Sequence, residues 1–292
     1  MNVLLTGATG FLGKHLAKAF LDRKYQVSAY YRRDAVRWDG PQWFKTGIGE
    51  DDRPFQEAGP IDAIVHLATC YGRKGEPISQ ILQANLSLPL RLARLATEFR
   101  VPLFVNTDTY YNSHKSGYAF LADYSVSKGH ALYWLRRHAE MGDFRLANLS
   151  LEHVYGPGDA LDKFCNSTLS AFLRNQPELP LTSGEQTRDF IYVADVVSAY
   201  VAVLENAKQL EGVSTDFGVG TGTLLPVRDF VTLGHTLAQS TTKLRFGELA
   251  HREGEIMESK ADNRSLCALG WIPQTGLKTG IQATLDSLRA SL

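Results

Sequence analysis

A glycine-rich segment near the N-terminus constrains the fold of this chain more than any other feature. Gly7-Ala8-Thr9-Gly10-Phe11-Leu12-Gly13 follows the apolar run Val3-Leu4-Leu5, which is typical of a buried parallel strand. It precedes a stretch to about Arg23 whose apolar residues share one face of a predicted helix. Glycines here permit a tight turn, and the helix N-terminus can face a pyrophosphate. Such a turn can be purely structural, but its place between the first strand and the first helix predicts dinucleotide binding.

Strands and helices alternate through the first half of the chain. Apolar runs predict the strands, and helical periodicity predicts the segments between them. The alternation is typical of an α/β fold with a Rossmann-type, doubly wound parallel sheet. The predicted strands are residues 3–5, 26–30, 43–48, 61–68, 103–105 and 145–151, and the predicted helices are residues 13–23, 78–99 and 124–141.

The second half of the chain has a less regular pattern. Beyond residue 156, proline and glycine become frequent and the predicted elements become shorter. We therefore predict a dinucleotide-binding domain over residues 1–155 and a smaller, mainly substrate-binding lobe over residues 156–292. Residues 188–222 are expected to return to the first domain.

Composition excludes several functions. Lys plus Arg equals Asp plus Glu at 31 each, so no overall charge attracts nucleic acid or an anionic membrane. The three cysteines, Cys70, Cys165 and Cys267, lie far apart, and no Cys/His spacing predicts a metal site or a disulfide framework. No signal-peptide pattern or long apolar span is evident, so a cytoplasmic protein is expected.

The end of the second predicted strand indicates which dinucleotide is bound. An acidic residue about 20 positions after the glycine loop accepts the ribose hydroxyls of NAD, whereas an Arg suits the 2′-phosphate of NADP. Here Tyr31 is followed by Arg32 and Arg33, and the first carboxylate is Asp34. A guanidinium matches the geometry of a phosphate. A solvated basic turn is the alternative, but the pattern favours NADP, with Arg32 as the first contact.

Tyr124 and Lys128 form a YxxxK pattern on a predicted helix. A spacing of four places both side chains on one face. An ammonium beside a phenol lowers the phenol's pKa, so we expect Tyr124 to act as an acid or base near neutral pH. The pattern alone is weak evidence, because it also arises by chance.

Two threonines follow a predicted strand at the carboxyl edge of the sheet, where ligands of α/β proteins bind. Thr107 and Thr109 can each donate a hydrogen bond to a carbonyl oxygen. Capping of the strand end is the structural alternative for either residue.

Taken together, these motifs make the chain similar to the extended short-chain dehydrogenase/reductase family, the group of nucleotide-sugar epimerases, dehydratases and reductases. The resemblance covers nearly the whole chain. Besides the glycine loop, it is carried by His66-Leu67-Ala68, Asn85, Asn106-Thr107-Asp108, Tyr124 with Lys128, Tyr155-Gly156-Pro157-Gly158-Asp159, residues 188–196 and Arg252-Glu253-Gly254-Glu255.

Within the family, residues 104–108, 151–159 and 182–190 most resemble bacterial reductases that form CDP-abequose or CDP-paratose. Those enzymes reduce the 4-ketone of a CDP-4-keto-3,6-dideoxyhexose with NADPH. The resemblance therefore implies an NADP(H)-dependent oxidoreductase of deoxysugar biosynthesis for the O-antigen of lipopolysaccharide. Its partner would be a sugar nucleotide, CDP-linked, and a homodimer is compatible with the family.

The resemblance also implies roles for individual residues. Tyr124 would protonate the ketone oxygen, Lys128 would hold the nicotinamide ribose and tune Tyr124, and Thr107 would bind the same oxygen. Asn85 would face the cofactor or support the active site, and Arg188 and Arg252 would hold the diphosphate or the nucleoside. The implied cofactor contacts are Gly7, Thr9, Gly10, Phe11, Leu12, Gly13, Arg32, Arg33, Leu67, Ala68, Asn85, Tyr124 and Lys128. The implied substrate contacts are Thr107, Asp108, Thr109, His153, Arg188 and Arg252.

One departure from the family separates the possible reactions. Dehydratases of this family carry Asp-Glu directly after the threonine, whereas here Asp108 is followed by Thr109. Without the second carboxylate the site has no evident base for removing a sugar proton, so dehydration is not expected. A nucleotide-sugar 4-epimerase and a reductase of small carbonyl compounds remain as alternatives. A protein that binds NADP without chemistry is a third, which the intact Thr107, Tyr124 and Lys128 disfavour.

Overall fold

The computed structural model describes residues 1–31, 38–45, 52–113, 120–142 and 144–291. These residues form two compact units. The first unit comprises the described residues of Met1–Ser113, Leu121–Ser150 and Tyr200–Phe217. The second comprises Phe120, Leu151–Ala199 and the described residues of Gly218–Leu292.

The strands of the described residues run in chain order as β1 (Asn2–Thr6), β2 (Gln26–Tyr31), β3 (Gln42–Lys45), β4 (Ala63–His66), β5 (Leu103–Thr109), β6 (Arg145–Leu151), β7 (His153–Tyr155), β8 (Glu178–Leu181), β9 (Thr187–Arg188), β10 (Phe190–Tyr192), β11 (Ser214–Val219), β12 (Leu225–Pro226), β13 (Lys243–Phe246) and β14 (Glu258–Ser259).

The α-helices of the described residues are α1 (Phe11–Asp22), α2 (Arg53–Glu57), α3 (Ile78–Leu82), α4 (Leu88–Glu98), α5 (Ala122–Met141), α6 (Phe164–Leu173), α7 (Val193–Glu205), α8 (Val227–Ala238), α9 (Arg264–Ala268) and α10 (Leu277–Arg289). A π-helical turn, Gln83–Ser87, joins α3 to α4, and 3-10 turns lie at Tyr110–Ser113 and Ala207–Gln209.

A seven-stranded sheet organises the first unit, in the order β11-β6-β5-β4-β1-β2-β3. Parallel pairing joins β1 to β2 and to β4, β2 to β3, and β4 to β5. The chain leaves β1 toward one edge and then returns to β4 on the other side. The predicted doubly wound α/β sheet is therefore confirmed, with its switch point between the carboxyl ends of β1 and β4, where such sheets bind ligands.

Apolar packing on the sheet explains why the first half of the sequence reads as continuous hydrophobic runs. All five residues of β1 and all four of β4 are buried. Leu4, Ile64 and Phe104 are fully buried and pack with the apolar face of α4 and α5. A parallel strand covered on both faces has no polar side to alternate with.

The second unit has its own core and smaller sheets. Among its described residues, β7 pairs with β10, β8 pairs with β13, and β9 lies between β12 and β14. Helices α6, α8 and α10 contribute apolar side chains to one cluster with the strands. Its buried members include Tyr155, Leu169, Phe172, Phe190, Phe230, Ile281 and Leu285.

Several predicted bounds differ from the observed ones. The predicted continuous helix 78–99 is interrupted by the π-helical turn. Residues 46–48 of the predicted third strand lie outside the described residues. The chain passes from the first compact unit to the second after Ser150, whereas the predicted boundary follows residue 155. The segment that returns to the first unit, Tyr200–Phe217, is shorter than the expected 188–222. The functional division between a cofactor part and a substrate part stays a prediction. Over the described residues, no helix combines the length and apolar character that spanning a membrane requires.

Candidate active site

The turn between β1 and α1 has room only for glycine at two positions. Gly7 has a φ of 71°, and a Cβ there would lie 2.8 Å from the amide nitrogen of Ala68, just beyond β4. A Cβ on Gly13 would press against the carbonyl oxygen of Gly7. Among the described residues, α1 begins at Phe11 with no side-chain cap, and its first turn holds no acidic residue. The N-terminus of α1 therefore fits the pyrophosphate of a dinucleotide.

Thr6 and His66 join β1 to β4 beside this turn. The Thr6 hydroxyl accepts hydrogen bonds from the backbone N–H groups of Leu67, at 3.2 Å, and Ala68, at 3.1 Å. Its own proton is then donated to Nδ1 of His66, 2.9 Å away, which requires a neutral ring protonated at Nε2. Burial, together with the charge of Lys128, lowers the pKa of His66 to about 3. The predicted cofactor residues Leu67 and Ala68 are thus fixed at the switch point.

Asn85 lies on the π-helical turn Gln83–Ser87 and is buried. Its Oδ1 accepts hydrogen bonds from the Cys70 N–H at 2.8 Å and the Thr69 hydroxyl at 3.0 Å. Its Nδ2 donates to the Cys70 carbonyl at 2.9 Å and the Ser127 hydroxyl at 3.0 Å. Both lone pairs and both N–H groups of the amide are used. Of the two roles expected for Asn85, the structure favours support of the active site over direct cofactor binding.

Tyr124 is buried at the start of α5, and the side chain of Thr109 at the end of β5 is close enough to influence its pKa. The ring of Tyr71 packs on the Tyr124 ring, with centroids 4.7 Å apart. Burial raises the pKa of Tyr124 well above its usual value near 10, and the Thr109 side chain acts in the opposite direction. The expected lowering of this pKa by Lys128 is therefore wrong for this structure. At neutral pH the phenol is protonated, which is the form a proton donor needs.

Lys128 is buried one turn along α5, with its Nζ 6.0 Å from the centroid of the Tyr124 ring. Burial lowers the pKa of Lys128, and the nearby charge of Asp108 raises it. Oδ1 of Asp108 also accepts a 2.8 Å hydrogen bond from Nδ2 of Asn112. The predicted substrate residue Asp108 is itself buried; burial raises the pKa of its carboxyl group, and the charge of Lys128 lowers it.

Thr107 is half-buried on β5, two residues before Thr109. Its Oγ1 lies 2.6 Å from the hydroxyl of Tyr200 on α7. The two predicted threonines therefore contact different phenols: Thr107 contacts Tyr200, and Thr109 contacts Tyr124. The first unit brings together the predicted residues Thr107, Thr109, Tyr124 and Lys128 at the carboxyl end of β5.

Arg188 in the second unit is buried and paired. Its Nη2 donates to Oε1 of Glu255 at 2.5 Å, and its Nη1 donates to the Thr187 carbonyl at 2.9 Å. Burial and the charge of Arg188 lower the pKa of His153 to about 3, while Asp189 and Glu255 act in the opposite direction. The predicted residues Arg188 and His153 are therefore close together, and a diphosphate at Arg188 would compete with Glu255.

Arg252 is exposed, and its guanidinium carbon lies 3.8 Å from the centroid of the Phe120 ring. The backbone N–H of Glu255 donates to the carbonyl of Arg252 at 3.1 Å. This turn connects Arg252 to the residue that pairs with Arg188. The second unit thus brings both predicted diphosphate ligands to one turn.

Sequence reasoning missed Tyr200 and Tyr71 in the first unit. Tyr200 lies 93 residues from Thr107 in the chain, and no motif links them. No motif links Tyr71 to Tyr124 either, although their rings pack together. The predicted cofactor residues Arg32 and Arg33 lie outside the described residues. Within the described residues, no group of three or more His, Cys, Asp or Glu side chains could hold a metal ion.

A doubly wound sheet with a glycine turn at its switch point, and with a buried Tyr and Lys beside its carboxyl edge, defines a class of dinucleotide-dependent enzymes. The model of the NAD dependent epimerase/dehydratase family matches residues 3–220. The chain belongs to this family.

Curated relatives match nearly the full chain. The CDP-abequose synthase of Salmonella typhimurium (strain LT2) is 36% identical over 297 residues, covering 98% of both chains. The CDP-abequose synthase of Salmonella muenchen is 32% identical, covering 98% of this chain and 97% of its own. Among solved structures, MoeE5 in complex with UDP-glucuronic acid and NAD is 25% identical, with a TM-score of 0.85 over the whole of both chains.

Proposed function

We propose that this protein reduces the 4-keto group of a CDP-4-keto-3,6-dideoxyhexose with NADPH, as a reductase of deoxysugar biosynthesis. The threonine at position 109, directly after Asp108 at the end of β5, carries the proposal. A hydroxyl stands where the family's dehydratases have a carboxylate base, so the site keeps a protonated phenol but lacks the base for dehydration. Similarity to two CDP-abequose synthases over the full chain supports the CDP-sugar as substrate.

In this proposal each residue of the candidate site has a separate role toward the substrate or the cofactor. Thr107 donates a hydrogen bond to the ketone oxygen, and Tyr124 transfers its phenolic proton to that oxygen. The nicotinamide, when bound, supplies the hydride. Lys128 holds the nicotinamide ribose, and Asp108 compensates its charge inside the protein. Arg188 and Arg252 hold the substrate diphosphate.

The direct test is incubation of the purified protein with NADPH and a CDP-4-keto-3,6-dideoxyhexose. We expect one NADPH oxidised for each sugar nucleotide reduced, measured by nicotinamide absorbance and by the mass of the product. The same sugar linked to another nucleoside diphosphate is the control for CDP recognition. Conversion of a nucleotide sugar with no net NADPH oxidation would instead establish the 4-epimerase.

NADP preference is a separate part of the proposal, supported by Arg32 and Arg33 after β2. Solved relatives contain NAD, as MoeE5 does, so this preference needs its own test. A charge-assisted hydrogen bond contributes about 1.5–3 kcal/mol, so Arg32→Ala should raise the KM for NADPH by about 10- to 100-fold. The KM for NADH should change by less than about twofold, since NADH has no 2′-phosphate. Equal effects on both cofactors would overturn the assignment.

A homodimer and a cytoplasmic location complete the proposal. The exposed face of α5 carries Tyr133 and Trp134, which are 66% and 48% exposed, and such apolar area on one helix is typical of a protein contact. Size-exclusion chromatography with light scattering measures the oligomeric state.

A further inference from the structure

Tyr200 is a buried phenol that no part of the proposed chemistry uses. It lies on α7 and is 0% exposed, within the first compact unit. Its hydroxyl lies 2.6 Å from Oγ1 of Thr107, a short distance for a hydrogen bond between two neutral hydroxyls. A buried hydroxyl needs a partner, because leaving it without one costs about 1–3 kcal/mol.

Elementary acidity decides the direction of this hydrogen bond. A phenol is a stronger acid than an aliphatic alcohol, so it is the better donor, whereas the alcohol oxygen is the better acceptor. Burial also raises the pKa of Tyr200 above the ordinary value of a phenol, so its hydroxyl keeps its proton at neutral pH. Tyr200 therefore donates, and Thr107 accepts with one lone pair.

When Thr107 accepts the hydrogen bond from Tyr200, the direction of the Thr107 hydroxyl proton becomes fixed. A threonine hydroxyl has one proton and rotates freely unless its oxygen is engaged. With one lone pair held by Tyr200, the rotation is limited, and the Thr107 proton is directed away from α7. Thr107 is half-buried, so its proton can reach a ligand.

We propose that Tyr200 is a positioning residue that orients the Thr107 hydroxyl so that it donates to the reacting oxygen of the substrate. The inference rests on the proposed function of Thr107 and deepens it. Fixing a donor before the reaction lowers the cost of reorganising it as charge develops on the oxygen. A second threonine–phenol pair, Thr109 with Tyr124, lies two residues further along the same strand.

Tyr71 supports the arrangement from the neighbouring loop. Its ring packs on Tyr124, and its hydroxyl is close enough to Tyr200 to raise the pKa of that phenol. A charged Tyr200 is therefore disfavoured by both burial and Tyr71. The cluster keeps Tyr200 a neutral donor toward Thr107.

A double-mutant cycle of Tyr200→Phe and Thr107→Val tests the proposal in the full-length protein. We expect Tyr200→Phe to lower kcat by about tenfold with KM changed less than about twofold, and Thr107→Val to lower kcat by about 100-fold. In the Thr107→Val background, Tyr200→Phe should change kcat by less than about twofold, because its effect passes through Thr107. Equal effects of Tyr200→Phe in both backgrounds would reduce Tyr200 to a packing role.

The matched control is Tyr25→Phe. Tyr25 also uses its hydroxyl to contact α7, through a 3.1 Å hydrogen bond to Glu205, but this contact is exposed and does not involve Thr107. The kcat of the Tyr25→Phe variant should stay within about twofold of the wild-type value. A tenfold loss here would show that α7 anchoring in general, and not the Thr107 contact, determines the rate.

Two further measurements separate this inference from the proposed reaction. The cycle can be run on reduction or on epimerisation, whichever the wild type performs, because both place the sugar oxygen at Thr107. Urea unfolding tests the pair without substrate: Thr107→Val leaves the buried Tyr200 hydroxyl without its partner, so it should be less stable than the double variant, which lacks that hydroxyl. Additive losses in both kcat and stability would overturn the inference even in an active enzyme.

Discussion

Tyr124 carries the most specific prediction at the scale of single residues. Tyr124→Phe keeps the ring that packs on Tyr71 but removes the hydroxyl that donates the proton in the proposed reaction. General-acid catalysis contributes about 10²- to 10⁴-fold, so kcat should fall by at least about 100-fold. Stopped-flow or steady-state NADPH oxidation measures it.

Cofactor affinity is the control for this variant. NADPH binding, measured by nicotinamide fluorescence, should change by less than about threefold, because the phenol acts on the substrate oxygen. Full turnover by Tyr124→Phe would remove Tyr124 as the proton donor. A parallel loss of binding and turnover would indicate a structural role instead.

The sequence predicts the residues of the candidate site better than it predicts their hydrogen-bond partners. Thr107, Tyr124 and Lys128 follow from motifs, and the structure gathers them at one strand end. The partners Tyr200 and Glu255 could not be predicted, since each is chosen by tertiary packing across at least 67 residues of chain. The pKa of Tyr124 was predicted in the wrong direction because spacing on a helix says nothing about desolvation.

At the scale of elements, the β1–α1 turn depends on a glycine within the first turn of the helix. A Cβ at Gly13 would meet the Gly7 carbonyl oxygen and lie 2.7 Å from the Cα of Ala8, both rigid backbone atoms. Gly13→Ala should lower the free energy of unfolding by about 1–3 kcal/mol and abolish measurable NADPH binding. Urea unfolding and fluorescence titration check both effects.

Gly276 provides the matched control for that substitution. It precedes α10 with φ of −63°, and a Cβ there would meet no atom within 4 Å. Gly276→Ala should leave NADPH binding unchanged and stability within about 1 kcal/mol. If Gly13→Ala behaves like Gly276→Ala, close backbone packing is not what the turn requires.

A second element prediction concerns the loops after β11 and β14, which converge on Asp189. Its Oδ1 accepts from the Thr221 N–H at 2.8 Å and hydroxyl at 2.7 Å, and its Oδ2 accepts from the Gly222 N–H at 2.8 Å. Asp189→Asn replaces one acceptor oxygen by a donor, so it should cost about 2–4 kcal/mol of unfolding free energy. Asp286→Asn, at an exposed carboxylate on α10, is the control and should cost less than about 1 kcal/mol.

Periodicity in the sequence predicted that helices and strands form, but it did not predict where a helix is interrupted. The apolar pattern of residues 78–99 predicts one helix, and the chain inserts a π-helical turn within it. That turn places the amide of Asn85 against Cys70 and Ser127. Interruptions of this kind are frequent at functional sites, and the side-chain hydrogen bonds that stabilise them have no periodic signal.

At the scale of the whole molecule, two neutral histidines among the described residues predict how stability depends on pH: His66, which is buried, and His153, which is half-buried. His66 in the first unit and His153 in the second have a pKa of about 3 when folded, against an ordinary value of 6.5. Below pH 6.5 the unfolded chain binds protons that the folded protein does not. Stability is therefore full above pH 6.5 and is lost as the pH falls toward about 3.

A variant of one histidine measures its share of this dependence. His66→Asn keeps an acceptor for the Thr6 hydroxyl, because Oδ1 of asparagine replaces Nδ1 of the ring. Between about pH 5 and 6, each such histidine contributes roughly 1.4 kcal/mol of unfolding free energy per pH unit. The slope for His66→Asn should be shallower than that of wild type by this amount, in urea unfolding at several pH values. His130→Asn, at an exposed position on α5, controls for the loss of a histidine. Identical slopes for wild type and His66→Asn would mean that the buried ring is protonated in the folded protein, contrary to its role as the acceptor for Thr6.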